Sequence, residues 1–221
     1  MRVSMHSIVF VLLIVFHSVA YAGPAADGGR TTPLNCTYEV LVWNVVSKSS
    51  GTVKKISHPY AHLASNEQDP MTECTVCSED QVRISMPPLQ PFSLCYKLAS
   101  KVRSALKTMV HGKTPIHAIE GYRVVKSRGP VDGSGNRTVF SNHSFGTAID
   151  INPEQNGLYD NCVTFGPECK LLRGGKWRPG VPGTIEKKGD LVVAMQTAGF
   201  RWGGEIAGKQ KDFMHFSLTG Y

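Results

Sequence analysis

The chain reads as one α+β domain built on a mainly antiparallel sheet flanked by helices. Three observations predict that class. β-prone runs recur at residues 38–46, 116–125, 147–152 and 212–218. A single long amphipathic stretch follows Ser93, with Leu94, Leu98, Val102, Ala105, Leu106, Met109 and Val110 at helical spacing. No internal repeat and no composition break divides residues 36–221, so they are expected to form one domain.

In chain order, Arg2 precedes an unbroken apolar run over residues 8–16, and Ala20-Tyr21-Ala22 fits a small-x-small cleavage site. Residues 1–22 therefore read as a secretory leader, too short to span a membrane. Residues 23–35, rich in Gly, Ala, Pro and Asp, read as a flexible lead-in. Residues 38–46 (YEVLVWNVV) predict a buried strand and 48–55 (KSSGTVKK) an exposed turn. Residues 58–77 are polar and irregular, and His58 and His62 within them are expected to be surface histidines.

The MPPLQP run at 86–91 breaks the chain before the long helix, with Ser93 as N-cap and His111-Gly112 as its stop. Residues 116–125 alternate, with His117, Ile119, Gly121, Arg123 and Val125 on one strand face. Residues 127–137 (SRGPVDGSGNR) predict a loop at the rim of the site, and 153–182 a long loop tethered by Cys162 and Cys169. Residues 190–198 predict a short helix capped by Gly199. A turn at 200–204 and a strand at 212–218 complete the domain.

All six cysteines (36, 74, 77, 95, 162, 169) follow the leader, and an even count in an exported chain predicts three disulfides. Six cysteines allow 15 pairings; only Cys162 with Cys169 suggests a local loop. Without the leader's single Arg the chain keeps 23 basic against 17 acidic residues, a net of +6. That balance favours anionic partners. The basic residues are dispersed, without the aromatic interleaving of a nucleic-acid surface, so no nucleic-acid partner is expected. No second apolar run predicts a membrane span, and a monomer in a secreted or periplasmic location is expected.

The chemistry concentrates in residues 141–152, SNHSFGTAIDIN. His143 and Asp150 are an odd number of residues apart, so one continuous strand would aim them at opposite faces. A bend or bulge at Gly146 removes that conflict. His215, in the apolar setting Phe213-Met214-His215-Phe216, supplies a third donor. Two histidines and a carboxylate leave a tetrahedral Zn2+ one open position for water, the pattern of a catalytic site. Asp212, three residues before His215, is the candidate base.

These residues resemble the zinc D-alanyl-D-alanine carboxypeptidase and L-alanyl-D-glutamate endopeptidase family, the VanY-like group with the Hedgehog/DD-peptidase fold. The family's Ser-x-His-x6-Asp motif matches Ser141, His143 and Asp150, and its acid three before a second His matches Asp212 and His215. Gly146, Ala148, Gly121-Tyr122-Arg123 and the Gly-Phe-x-Trp-Gly-Gly segment at 199–204 also fit, so the likeness covers about residues 94–218. It implies zinc ligation by His143, Asp150 and His215, with Asp212 as general base. It also implies a substrate-facing Arg123, and hydrolysis of peptide bonds in peptidoglycan stem peptides. Arg137, close in sequence, competes with Arg123. Ser141 is a candidate to hydrogen-bond substrate or a ligand, and Trp202 to shape the cleft wall. The alternative is a non-catalytic zinc-containing binding domain of the Hedgehog type, which has no need of a base at Asp212. Sequons at Asn35, Asn136 and Asn142 matter only in a eukaryotic secretory setting, where a glycan on Asn142 would crowd the cleft.

Overall fold

Alternation along the first strand sets the architecture. In β1 (Asn35–Asn44) the side chains of Cys36, Tyr38 and Val40 turn inward, as period-2 patterning requires. Trp43 is exposed and the strand ends before the exposed Val46, so the run at 38–46 is buried on one face and not throughout. The structure, a computed structural model, describes residues 30–111 and 114–221. The expected leader and most of the lead-in lie outside the described residues. Thr32–Tyr221 form one compact unit.

A turn leads to β2 (Ser49–Ser50) and β3 (Lys54–Pro59), both antiparallel to β1. The segment expected as a plain turn at 48–55 thus contributes two short pairings. β4 (Gln81–Met86) and β5 (Leu89–Cys95) make a hairpin the sequence did not announce, with Pro87-Pro88 at its turn. Helix α1 (Tyr96–His111) therefore begins after Cys95 rather than at Ser93. Ser93 is held extended instead: its carbonyl accepts Tyr122 N–H at 2.7 Å, and Cys95 is bonded to Cys74. Leu98, Val102 and Leu106 of α1 are buried, the expected face.

The run at 116–125 is broken into β6 (Ile119–Glu120) and β7 (Val124–Val131). Gly121 lies at the break, where a Cβ would come within 2.3 Å of the Ser93 carbonyl oxygen. β7 pairs parallel with β1 and antiparallel with β8 (Arg137–Phe140). Residues 127–137 are thus largely a hairpin, with Gly129 at φ 73° beside a register shift. The β1–β7 pair is parallel and every other named strand pair is antiparallel, as a mainly antiparallel protein requires.

β9 (Ala148–Ile151) follows, then β10 (Leu158–Asp160) and β11 (Lys170–Arg173) inside what was expected to be structureless loop. Helix α2 (Asp190–Thr197) ends with Ala198 as cap and Gly199 at φ 93°, as a left-handed C-terminal stop needs. β12 (Arg201–Trp202), β13 (Lys211–Asp212) and β14 (His215–Ser217) close the chain. The last run is thus two strands around a turn at Phe213-Met214, not one.

The strands form four small sheets instead of one: β2-β1-β7-β8 with β3 on β1, β12-β14-β9-β6, β11-β10-β13, and β4-β5. One apolar core joins α1, α2 and the inner side of β9 and β14 through residues such as Leu106, Ile149, Met195 and Phe216. A second joins β1, β7 and β8 through Tyr38, Val40, Val124 and Phe140. Disulfides link Cys36 with Cys77, Cys74 with Cys95 and Cys162 with Cys169. Cys74 and Cys77, three residues apart, thus have different partners. Among the described residues no helix is long and apolar enough to cross a membrane.

Candidate metal centre

The turn that carries His143 is built by its own serines. Residues Asn142–Phe145 form one 3-10 turn, entered from an extended Ser141. Ser144 Oγ accepts the Val125 N–H and donates to the Val125 carbonyl, both at 3.0 Å, while Ser141 Oγ lies 3.2 Å from it. Gly146 ends the turn at φ 64°, and a Cβ there would fall 2.4 Å from Cys95 N and 2.0 Å from Gln81 Oε1. Glycine is required both for the left-handed backbone and for the close approach. This reversal is the expected bend, and it aims His143 at the same point as Asp150 of β9.

His143 Nε2, Asp150 Oδ1 and His215 Nδ1 form a triangle with edges of 3.1, 3.0 and 3.3 Å. All three residues are buried. His143 Nδ1 lies 2.9 Å from the Gly121 carbonyl, which can only accept. That nitrogen therefore carries the ring proton, and Nε2 turns a lone pair into the triangle. The 3.0 Å approach of Arg123 Nη1 to the same Nδ1 is then a contact and not a hydrogen bond. Two acceptor atoms, His143 Nε2 and Asp150 Oδ1, converge on His215 Nδ1; with its proton on Nε2, His215 turns a third lone pair to the same point. A tetrahedral ion with bonds of about 2.0–2.1 Å would hold its ligands about 3.3 Å apart, close to these edges. The donor set thus fits a zinc-like cation. Burial lowers the His143 pKa, which favours the neutral imidazole. Burial alone would raise that of Asp150, but a proton on the facing nitrogen of His143 or His215 holds the carboxyl well below its usual range.

Register explains the convergence. Glu120 faces Asp150 across β6 and β9, and Asp150 faces His215 across β9 and β14. Directly opposed residues project from the same face, so Glu120, Asp150 and His215 make one row. In the three-stranded sheet Arg173 and Asp212 both stand opposite Leu158, giving a second row of Arg173, Leu158 and Asp212. The Phe213-Met214 turn ties the Asp212 end of the second row to the His215 end of the first. At the other end Arg173 Nη2 meets Glu120 Oε2 at 3.0 Å. Asp212 Oδ1 and His215 Nε2 are buried with no hydrogen-bond partner among the described residues. Burial, followed by the charge of Asp150, pushes Asp212 up to about 7.

Arg123 donates from Nη2 to Asp150 Oδ2 at 2.7 Å and lies 3.5 Å from Glu120 Oε2. It therefore stands beside the triangle and orients its carboxylate. Trp202 is buried, and its Nε1 donates to the Phe213 carbonyl at 2.8 Å, bracing the turn between Asp212 and His215. It also lines a cleft of about 1010 Å³ with Trp177, Lys211 and Phe213, but Asp212 is absent from that lining. A smaller pocket of about 340 Å³ borders Glu120 and Arg123. Ser141 is placed in the turn described above. Arg137 donates to the Gly129 carbonyl at 2.5 Å, within its own hairpin rather than in either row. The 127–137 hairpin supplies no residue to the rows. His58 is paired with Glu67 at 3.0 Å, so it is not a plain surface histidine.

Sequence reasoning missed Glu120 and Arg173. Strict alternation placed Glu120 on the face opposite Arg123; the break at Gly121 lets the two meet. Arg173 lay in a stretch without periodicity, where nothing marked it. Asn142, the sequon beside the ligand, accepts from Arg128 at 2.9 Å and donates to Thr219 Oγ1 at 3.0 Å. A glycan there would have to displace those bonds.

A family model described as D-alanyl-D-alanine carboxypeptidase matches residues 134–218. The match spans His143, Asp150, Asp212 and His215, and it supports the resemblance to the zinc DD-peptidases. The chain is similar over that stretch to a family of metallopeptidases, which are hydrolases. No curated protein and no solved structure matches the chain.

Proposed function

We infer that the chain is an exported zinc peptidase that hydrolyses peptide bonds of peptidoglycan stem peptides, acting as a monomer. D-Ala-D-Ala carboxypeptidase and L-Ala-D-Glu endopeptidase action are its two forms. The reading includes a Hedgehog/DD-peptidase type of fold, supported by the family match over β9 and β14. Three disulfides support an oxidising compartment. One observation carries the reading: two imidazoles and a carboxylate converge within 3.3 Å, and nearby Asp212 buries one carboxylate oxygen with no hydrogen-bond partner among the described residues. A structural site would fill the fourth position with a protein ligand and would have no use for a spare carboxylate.

His143, Asp150 and His215 would hold the zinc, which supplies Lewis-acid activation of water and of the scissile carbonyl. Asp212 accepts the proton that the attacking water loses and returns it to the leaving amine, so water is added across the amide bond. A base tuned near neutrality suits that exchange, and a cation close by would draw Asp212 somewhat lower. The Gly121 carbonyl fixes the His143 tautomer, the outer-shell support that metal-binding histidines need. Arg123 fixes Asp150 through Oδ2, and its remaining N–H groups face the developing negative charge.

Digestion of purified peptidoglycan, with zinc content measured in the same samples, tests this. The protein as isolated should release stem-peptide fragments, lose that activity on chelation and regain it with added zinc. Fragment release that is indifferent to chelation would contradict it, as would a chain that holds zinc yet cuts no wall preparation.

A further inference from the structure

We propose that Arg173 anchors the substrate by binding a carboxylate of the peptide that lies between the two rows. The proposal rests on the peptidase reading and specifies its substrate class: peptides bearing a free carboxylate a short distance from the cut bond. Arg173 and Asp212 stand opposite the same residue, Leu158, from strands on either side of β10. Adjacent strands are about 4.8 Å apart, so the backbones of Arg173 and Asp212 lie about 10 Å from each other across β10, with a β-bulge between Leu158 and Tyr159 on the Arg173 side. A long, flexible arginine side chain at that separation can reach a carboxylate close to a bond cut at Asp212.

The two arginines of the site are committed differently. Arg123 is bound to buried Asp150 at 2.7 Å, and its side chain is 30% exposed. Arg173 spends Nη2 on the half-exposed Glu120, and its side chain is 51% exposed. An exposed pair of this kind contributes little to stability. A planar guanidinium has five N–H donors, so most of those of Arg173 remain for a ligand. Glu120 lies between Arg173 and Arg123, 3.0 and 3.5 Å from their nitrogens, and holds the free side chain over the row. An incoming carboxylate takes the place of Glu120 on Arg173 or joins it there, and Glu120 stays with Arg123.

The carboxylate has two sources, the peptide C-terminus or an acidic side chain such as glutamate. Three stem peptides separate them: one with both groups free, one amidated at the C-terminus and one amidated at the glutamate side chain. KM and kcat are measured for each with wild type, Arg173→Ala and Arg173→Lys. Affinities are measured by calorimetry in an Asp212→Ala background, where turnover is removed, and thermal melts check folding. For the free peptide Arg173→Ala should raise KM and Kd roughly tenfold to hundredfold, the range for a hydrogen bond to a charged group. Arg173→Lys should fall between. Wild type should lose the same factor on whichever amidated peptide lacks the partner carboxylate, and Arg173→Ala should add nothing there. Equal KM and Kd for wild type and Arg173→Ala on all three peptides would overturn the assignment alone. So would a fall confined to kcat and equal for all three, which would mean that Arg173 acts on Asp212. If wild type cuts none of them and no peptidoglycan, the peptidase reading falls and the assignment with it.

Discussion

The chain treats buried acids in two ways. In residues 35–95 each is spent on structure. Glu67 accepts the Tyr38 hydroxyl at 2.5 Å, the Ala64 N–H at 2.8 Å and faces His58 at 3.0 Å. Asp80 accepts the Tyr60 hydroxyl at 2.6 Å and that of Thr75. Two disulfides staple the same region. In residues 119–217 Asp150 is crowded by donors to a cation, and Asp212 Oδ1 is buried with no partner among the described residues. Satisfied acids rigidify a fold, whereas an unsatisfied buried one costs stability and persists where chemistry requires it. One part holds the scaffold, and the proposed reaction belongs to the other.

That contrast breaks most sharply at the ligands. His215→Ala should abolish zinc binding and lower hydrolysis about a thousandfold or more, the scale of several kcal/mol of transition-state stabilisation. Far-UV circular dichroism should stay unchanged, because the hydrophobic face of β14 remains. A variant that keeps both zinc and activity would remove His215 from the centre.

A cut in the scaffold should do the reverse. Replacing Cys74 and Cys95 together by Ala should cost about 2–4 kcal/mol in urea unfolding. The fraction that stays folded should keep its zinc and its turnover number. Loss of turnover in fully folded protein would mean that the staple reaches the site through Gly146, which packs on Cys95.

The smallest effects separate the two regions by pH, in metal-free protein. The hydrogen bonds of Glu67 outweigh its burial and lower its pKa. Its contribution is present above the unfolded value near 4.5 and is lost as pH falls through the lower folded value. Asp212 runs the other way. Its folded pKa of about 7 lies above 3.8, so the folded chain keeps a proton that the unfolded chain has lost. Stability should then fall as pH rises from about 4 to about 7. Asp212→Asn should flatten that descent and Glu67→Gln the acid limb, each seen in melting temperatures across the range. The same descent in Asp212→Asn and wild type would assign it elsewhere.

Local patterns carried much of this into the sequence. The face of α1, the Gly199 stop and the strand patterns at residues 38–46 and 147–152 rest on side-chain periodicity and backbone sterics, and both are readable from neighbours. The His143, Asp150 and His215 set was legible because residue type and motif order signal donors. Long-range register was not. Nothing in the sequence places Glu120 opposite Asp150, or Arg173 and Asp212 opposite Leu158, because pairing is decided by which strands meet. Ser93 illustrates the same limit. It suits an N-cap by type, but the hairpin and the Cys74–Cys95 bond keep it extended.

The central claim is that Asp212 is left unpaired to move a proton and not to hold metal. Wild type and Asp212→Ala, digested against the same peptidoglycan with zinc content and product masses measured together, test it most directly. Equal zinc in both proteins, with fragment release from the variant lower by about a hundredfold to ten-thousandfold, is the predicted result. Equal fragment release from the two would contradict the account.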